Sequence, residues 1–219
     1  MPTPPGSDRR ELIAEAGIRI IAREGVRALT HRSVDRTAGI PPGSTSYHAR
    51  TREALLTLIV DTLSARTVDE TASTAALIDQ IVDDTGEIGT VDLARILASL
   101  IDSLTARADD MRARYSLILE LDGHPGLKQA LTTGSTVNTA ARRVIAPALT
   151  QAGIDATDAA IDSVITLTES LIFHRVAIDP ASPVQPILAA FLTGLGRTGP
   201  VRVRAPSTEA VATARDRRR

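Results

Sequence analysis

The chain has no cysteine and no tryptophan, and only two tyrosines and two phenylalanines in 219 residues. Without cysteine, both a disulfide framework and a thiolate metal site are excluded. The lack of thiols fits the cytoplasm, the expected location. Aromatics are 2% of the chain while hydrophobic residues are 43%, so any core must be built from Leu, Ile, Val and Ala. No apolar run reaches the roughly 20 residues that span a bilayer. The N-terminus lacks the basic-then-apolar order of a signal peptide, and no membrane association is expected. Catalytic signatures are missing too: there is no His-Glu-x-x-His, no Gly-x-Ser-x-Gly, no P-loop and no dinucleotide glycine fingerprint. His31, His48, His124 and His174 are scattered without metal-ligand spacing. Asp83-Asp84 and Asp109-Asp110 read as solvated carboxylate pairs. No enzymatic activity, no cofactor and no metal is expected.

What remains is rich in Ala and Leu, which favour helix, and poor in alternating β-branched and aromatic runs. An all-α chain of about nine helices is the natural reading. Net charge is −1, but it is divided unevenly. Residues 1–55 hold nine Arg against six acids, a net of +3. Residues 56–196 hold nine basic and eighteen acidic residues, and residues 197–219 hold seven Arg against two acids. The positive ends and the acidic middle point to a nucleic-acid contact near the N-terminus, although +3 is also compatible with an ordinary solvated surface.

The stretch from Leu29 to Leu56, LTHRSVDRTAGIPPGSTSYHARTREALL, organises the rest. Val34 and Ala38 share a helix face. Gly39 follows, where a left-handed residue commonly ends a helix. Ile40 anchors the turn, and Pro41 and Pro42 suit a helix start, where backbone donors go unused. The brief helix from Pro42 to His48 carries small polar residues able to sink into a major groove. Thr30 is the expected cap of the preceding helix, and Arg52 begins the next one, near Thr51.

These residues resemble the DNA-binding domain of the TetR family of one-component regulators. Thr30, Val34, Ala38-Gly39-Ile40, Gly43-Ser44-Thr45 and Thr51-Arg52-Glu53-Ala54-Leu55 fall, without gaps, on the family's helix-turn-helix pattern. There are two departures. Ser46 stands where the family usually has Tyr, with Tyr47 next to it, and Ala49 stands where it usually has Phe. The lost Phe should loosen the seat of the third helix unless Tyr47 or His48 turns inward. The resemblance implies an N-terminal three-helix head over residues 1–50 and a ligand-sensing, dimerising body over 51–196. It also implies an operator duplex as partner. The expected DNA contacts are Thr30, Arg32, Ser44, Thr45, Tyr47, His48, Arg50 and Arg52. Packing inward is the competing fate of Tyr47 and His48.

Before that stretch, Pro-rich residues 1–7 lead to a first helix capped by Ser7 or Asp8 and ended near Glu24 by Gly25. Arg9 and Arg10 near its start face either phosphate or solvent. After it, a fourth helix runs from Thr51 past Val68 towards Ile81, long enough to join a head to a body. Thr90 is the expected cap of a fifth helix, and a sixth spans Ala108 to Asp122. Glu120 lies in its apolar run, either paired or turned outward, or else acting as a polar anchor in a cavity. A seventh helix is expected from Pro125 to Gln151, with a small polar segment around Gly134 and a kink at Pro147. The eighth, from Asp155 or Thr157 to Ile178, is apolar on more than one face and has to bury two sides. With the ninth, Val184 to Leu195, it resembles half of the four-helix dimer contact that the family uses, which implies a homodimer. Tyr115, Glu120, Asn138, Arg142, Glu169, Phe173 and His174 are the expected cavity residues. Because aromatics are so few, the cavity should be aliphatic and take an apolar or amphipathic small molecule. The Arg-rich segment 197–219 has a disordered composition, as a solvated terminus or a DNA-touching tail. The leading reading is a homodimeric, ligand-responsive repressor on a pseudo-palindromic operator. The alternative is a helical small-molecule or protein-binding module that kept the architecture without operator binding.

Overall fold

The computed structural model of the chain describes residues 6–132 and 135–197, with side chains from Arg9 onward. The first helix begins at Gly6, so Ser7 and Asp8 stand inside it rather than capping it, and the Pro-rich start, Gly134 and the Arg-rich tail beyond Arg197 lie outside the described residues. Those residues form ten α-helices and one 3-10 turn, and no strand. The helices are α1 (Gly6–Glu24), α2 (His31–Ala38), α3 (Ser44–His48), α4 (Arg52–Thr85), α5 (Thr90–Ala106), α6 (Ala108–Glu120), α7 (Pro125–Ala130), α8 (Thr136–Gln151), α9 (Asp158–Ala177) and α10 (Val184–Arg197). The 3-10 turn, Val26–Ala28, joins α1 to α2.

The extra helix comes from a break in the expected seventh one. The Ser135 hydroxyl accepts a hydrogen bond from the Asn138 backbone N–H at 3.1 Å and so starts α8 afresh. A serine able to cap does so in preference to sitting mid-helix. Pro147 stands inside α8. Thr90 does not cap α5, because Gly89 holds that position without a side-chain bond. α6 stops at Glu120, two residues short of the expected end.

Two aliphatic cores hold the chain together. The first combines α1, α2 and the start of α4 around Ile13, Ile18, Ile21, Leu29, Val34, Leu55, Ile59 and Leu63, all at most 1% exposed. Ala113, Leu117 and Leu121 join it from α6, so the first core is completed from the other half of the chain. Burying each such Leu or Ile contributes about 1.5–3 kcal/mol. α1 and α4 approach closely at Gly17, where a Cβ would lie 2.4 Å from Ile59 Cδ1. The second core lies among α5, α8, α9 and α10, with Leu93, Leu97, Ile101, Leu149, Val164 and Leu188 fully enclosed.

α4 belongs to both cores. Its first turns pack in the head, while Ile78 near its far end packs in the body. Ion pairs reinforce the junction. Arg66 of α4 binds Glu15 of α1 and, at 3.1 Å, Asp110 of α6, and Arg23 reaches Asp109 at 2.9 Å. No helix among the described residues is long and apolar enough to cross a membrane.

Candidate nucleic-acid interface and ligand cavity

The head is positioned by reciprocal caps. Thr30 Oγ1 accepts from the Ser33 N–H at 3.0 Å, and Ser33 Oγ accepts from the Thr30 N–H at 2.9 Å. This is a capping box with Ser in place of the usual Glu or Gln. Gly39 ends α2 at φ 65°, ψ 33°, a left-handed conformation that glycine adopts without a Cβ penalty. Ile40 is buried beneath the turn.

Asp35, which sequence reasoning missed, is the hub of the helix-turn-helix. Its carboxylate accepts from the Gly43 N–H at 2.7 Å, the Thr45 N–H at 2.8 Å and the Thr45 hydroxyl at 2.6 Å. Because Gly43 offers no side-chain cap, Asp35 caps α3 from the neighbouring helix. Burial pushes the Asp35 carboxyl up. The bonds from Thr45 and Gly43, with the nearby His31, outweigh burial and hold it below the ordinary carboxylate value. At the other end of α3, His31 Nε2 lies 2.6 Å from the Ala49 carbonyl. A carbonyl only accepts, so Nε2 carries the proton. α2 therefore ties both ends of α3. These polar ties stand where the family's Phe would fill the core: Ala49 is 2% exposed, Tyr47 points outward at 82% exposure, and His48 is half-buried with its ring edge-on to Tyr47 at 5.2 Å.

Three of the expected DNA contacts are engaged within the head, and burial removes one of them, Thr45. Thr45 is completely buried, with both its donors on Asp35. Thr30 spends its hydroxyl on Ser33, accepting from the N–H and donating to Oγ. Arg52 donates to the Val26 carbonyl at 2.7 Å and to the Leu29 carbonyl, clamping α4 to the 3-10 turn. Of the remainder, Arg32, Tyr47 and Arg50 are exposed, as are Arg36 and Ser46, and Ser44 and His48 are half-buried.

The body holds a partly open cavity of about 60 Å³ between α4, α5, α8 and α9, walled by Leu97, Leu100, Leu104, Val144, Ile145 and Ile172. Thr67, Thr71 and Thr74 face it from α4. Their hydroxyls donate to the carbonyls of Leu63, Thr67 and Glu70 at 2.8–3.0 Å, so none has a proton left to offer. Val137, Ala141, Ile165 and Glu169 also line an adjoining open cleft, which contains Tyr115, Asn138 and Phe173. Tyr115 and Phe173 pack edge to face at 5.1 Å.

Arg114 was the unforeseen residue here. It is 8% exposed and grips Glu169 with two nearly parallel bonds of 2.8 and 3.0 Å, while donating to the Leu131 carbonyl at 3.1 Å. Burial works against its charge, but the Glu169 carboxylate outweighs burial and raises its pKa further. In sequence it looks like one more surface charge, because its partner lies 55 residues away.

Three expected cavity residues lie elsewhere. Glu120, at the exposed end of α6, borders a separate cleft against the head, formed with Val26, Arg27, Arg52 and His124. Arg142 is engaged with Asp158 and Asp162 of α9 on the outer side. His174, half-buried, lines neither the cavity nor the adjoining cleft.

Comparisons with known proteins agree with this architecture. Residues 89–198 match the family described as "Tetracyclin repressor-like, C-terminal domain". A TetR family member from Streptomyces coelicolor has a similar structure, with a TM-score of 0.61 at 23% identity, covering 86% of this chain and 98% of that one. The multidrug binding protein EbrR complexed with ethidium is similar at a TM-score of 0.58 and 22% identity, with 87% and 99% covered. A transcriptional regulator from Rhodococcus sp. superposes at 0.66 with 16% identity, over 85% and 95%. At these identities the likeness is one of fold. No curated protein matches the chain. The family match itself spans half of the sequence, and the chain belongs to the TetR family of transcriptional regulators.

Proposed function

We propose that the chain is a homodimeric repressor that binds a pseudo-palindromic operator and is released by a small apolar or amphipathic effector. The observation that carries this reading is the course of α4. It starts one turn beyond α3, clamped to the head by Arg52, and 15 residues later presents Thr67 to the cavity. A molecule in the cavity touches the helix that positions the head. Each α3 enters one major groove, and two heads meet half-sites about one helical turn apart. The effector acts by binding better to the body conformation whose heads no longer match that spacing. α9 and α10 supply the dimer face: Ala159, Ser163, Thr166, Ser170 and Phe173 are exposed along α9, and Ile187, Ala190 and Gly194 along α10.

The test is duplex binding by the full chain to promoter DNA flanking its own coding region, at two salt concentrations. Tyr47→Ala and Arg50→Ala run alongside. Tight binding that weakens with salt and is lost in the variants is expected, because phosphate neutralisation releases counterions. Absent or salt-insensitive binding by an intact dimer would overturn the reading in favour of a helical binding module.

A further inference from the structure

The charges around the cavity and cleft are already matched. Arg114 and Glu169 neutralise each other through two bonds, and Asp162 is held by Arg142. Among the described residues, no cation lining either space is left for a carboxylate or phosphate. Among them no carboxylate is left for a cation either: drawing Glu169 away would strand Arg114, a buried guanidinium whose other bond is to one carbonyl.

What is left over is neutral. The Tyr115 hydroxyl is buried and has no hydrogen-bond partner among the described residues. Burial first, and then the Glu169 carboxylate, push its pKa above the ordinary tyrosine value; the Arg114 guanidinium, which can donate only to the oxygen, pulls the other way without offsetting them, so at neutral pH the hydroxyl keeps a proton to donate. Asn138 lines the same cleft, and no side-chain hydrogen bond engages its amide among the described residues. Beyond them lies the aliphatic chamber, whose threonine protons are spent within α4 and α9. A buried donor without an acceptor is costly to the empty protein and rewards the ligand that supplies one.

We infer that the effector is an uncharged amphipath, with a carbonyl or ether oxygen received by Tyr115 and Asn138 and an aliphatic portion in the chamber between α4, α5, α8 and α9. This rests on the cavity being the effector site. It separates the chain from EbrR, whose structures were solved with ethidium, malachite green and proflavin.

The chain's own composition provides the assay. It has two tyrosines and no tryptophan, so Tyr47→Phe leaves Tyr115 as its sole tyrosine emitter. That full-length variant is titrated with decanone, decanoate and decyltrimethylammonium, which share a chain and differ in charge. Decanone is expected to perturb Tyr115 emission and to bind most tightly. Tyr115→Phe, measured by calorimetry with Tyr47 intact, is expected to lose roughly tenfold in decanone affinity, about one net hydrogen bond. Its melting temperature without ligand should be unchanged or higher, since only an unpartnered hydroxyl is removed.

Tighter binding of either charged probe at Tyr115 would overturn the neutral-effector inference and leave the cavity as the effector site. Decanone affinity indifferent to Tyr115→Phe would do the same. Silence of Tyr115 to all three probes would remove the cavity reading along with the inference.

Discussion

Replacing Asp35 by Ala tests whether the helix-turn-helix is held as described. The substitution removes the acceptor for three donors. Gly43 is exposed, so its N–H can turn to water, and its share of the loss is small. Thr45 is completely buried, so its N–H and hydroxyl are stranded. An orphaned buried donor costs about 1–3 kcal/mol, and the two share one site, so the expected loss is about 2–4 kcal/mol. Urea denaturation followed by circular dichroism measures it. Thr45→Val removes one of the donors at about 1 kcal/mol, and should cost less in the Asp35→Ala background, because the two residues are coupled. The effect has a pH signature. The carboxyl is held below its unfolded value of 3.8, so its ionisation contributes stability in full above that pH. The contribution is lost as the pH falls through the lower folded-state value. The advantage of the native chain over Asp35→Ala should therefore be flat from neutral pH to about pH 5 and shrink below about pH 4. A loss under about 0.5 kcal/mol, the level of an ordinary surface change, or an advantage that grows in acid, would refute the hub.

Other outcomes follow from the same geometry. Arg52→Ala should cost about 1–2 kcal/mol of stability through its lost carbonyl bonds and leave the salt slope of duplex binding unchanged. Arg50→Ala should barely alter stability and lower that slope by about 1; the reverse pattern would restore Arg52 as the phosphate contact. Gly17→Ala gains up to about 1 kcal/mol of helix propensity but drives a methyl against Ile59, where overpacking costs about 1–3 kcal/mol. A net loss of about 1 kcal/mol in chemical denaturation is expected, and a stabilised variant would show that α1 and α4 have slack. Glu169→Ala leaves Arg114 unpaired; since the carboxylate is 39% exposed, the expected loss is about 2 kcal/mol, below the 3–5 of a fully buried pair. Thermal and urea unfolding should both report it, and an unchanged midpoint would mean that Arg114 finds another acceptor.

The family's helix-turn-helix was legible because its signals are local. Thr30 and Gly39 act on neighbouring residues, and the apolar spacing of Val34 and Ala38 needs only one helix. The run of α4 past Val68 towards Ile81 was legible from its apolar spacing, and the aliphatic character of the cavity from composition. Residues that face two ways were beyond such reasoning. Thr45 sits in a run of small polar residues that suits a groove, yet its side chain turns inward because Asp35, ten residues earlier, needs its donors. Arg52 lies at a helix start that suits phosphate, yet the carbonyls of Val26 and Leu29, in and just after the 3-10 turn, take its donors. Tyr115, Asn138, Glu169 and Phe173 were placed near the cavity as polar or aromatic residues in otherwise aliphatic surroundings. Glu120, Arg142 and His174 met the same criterion and lie elsewhere, because polarity alone does not say which side of a helix turns to which neighbour. Arg114 and Glu169 are joined only when α6 and α9 come together.

Composition and local pattern determined that the chain is helical, that its cores are aliphatic, and where a helix-turn-helix begins and ends, since helix propensity, caps and glycine conformations act within a few residues. Tertiary structure alone decided which carboxylate seats α3, which arginine is spent on the fold, and which hydroxyl is buried in the cleft beside the cavity. Each of these depends on partners far apart in sequence, and a buried charge or donor has no preferred partner until packing brings one within hydrogen-bonding distance.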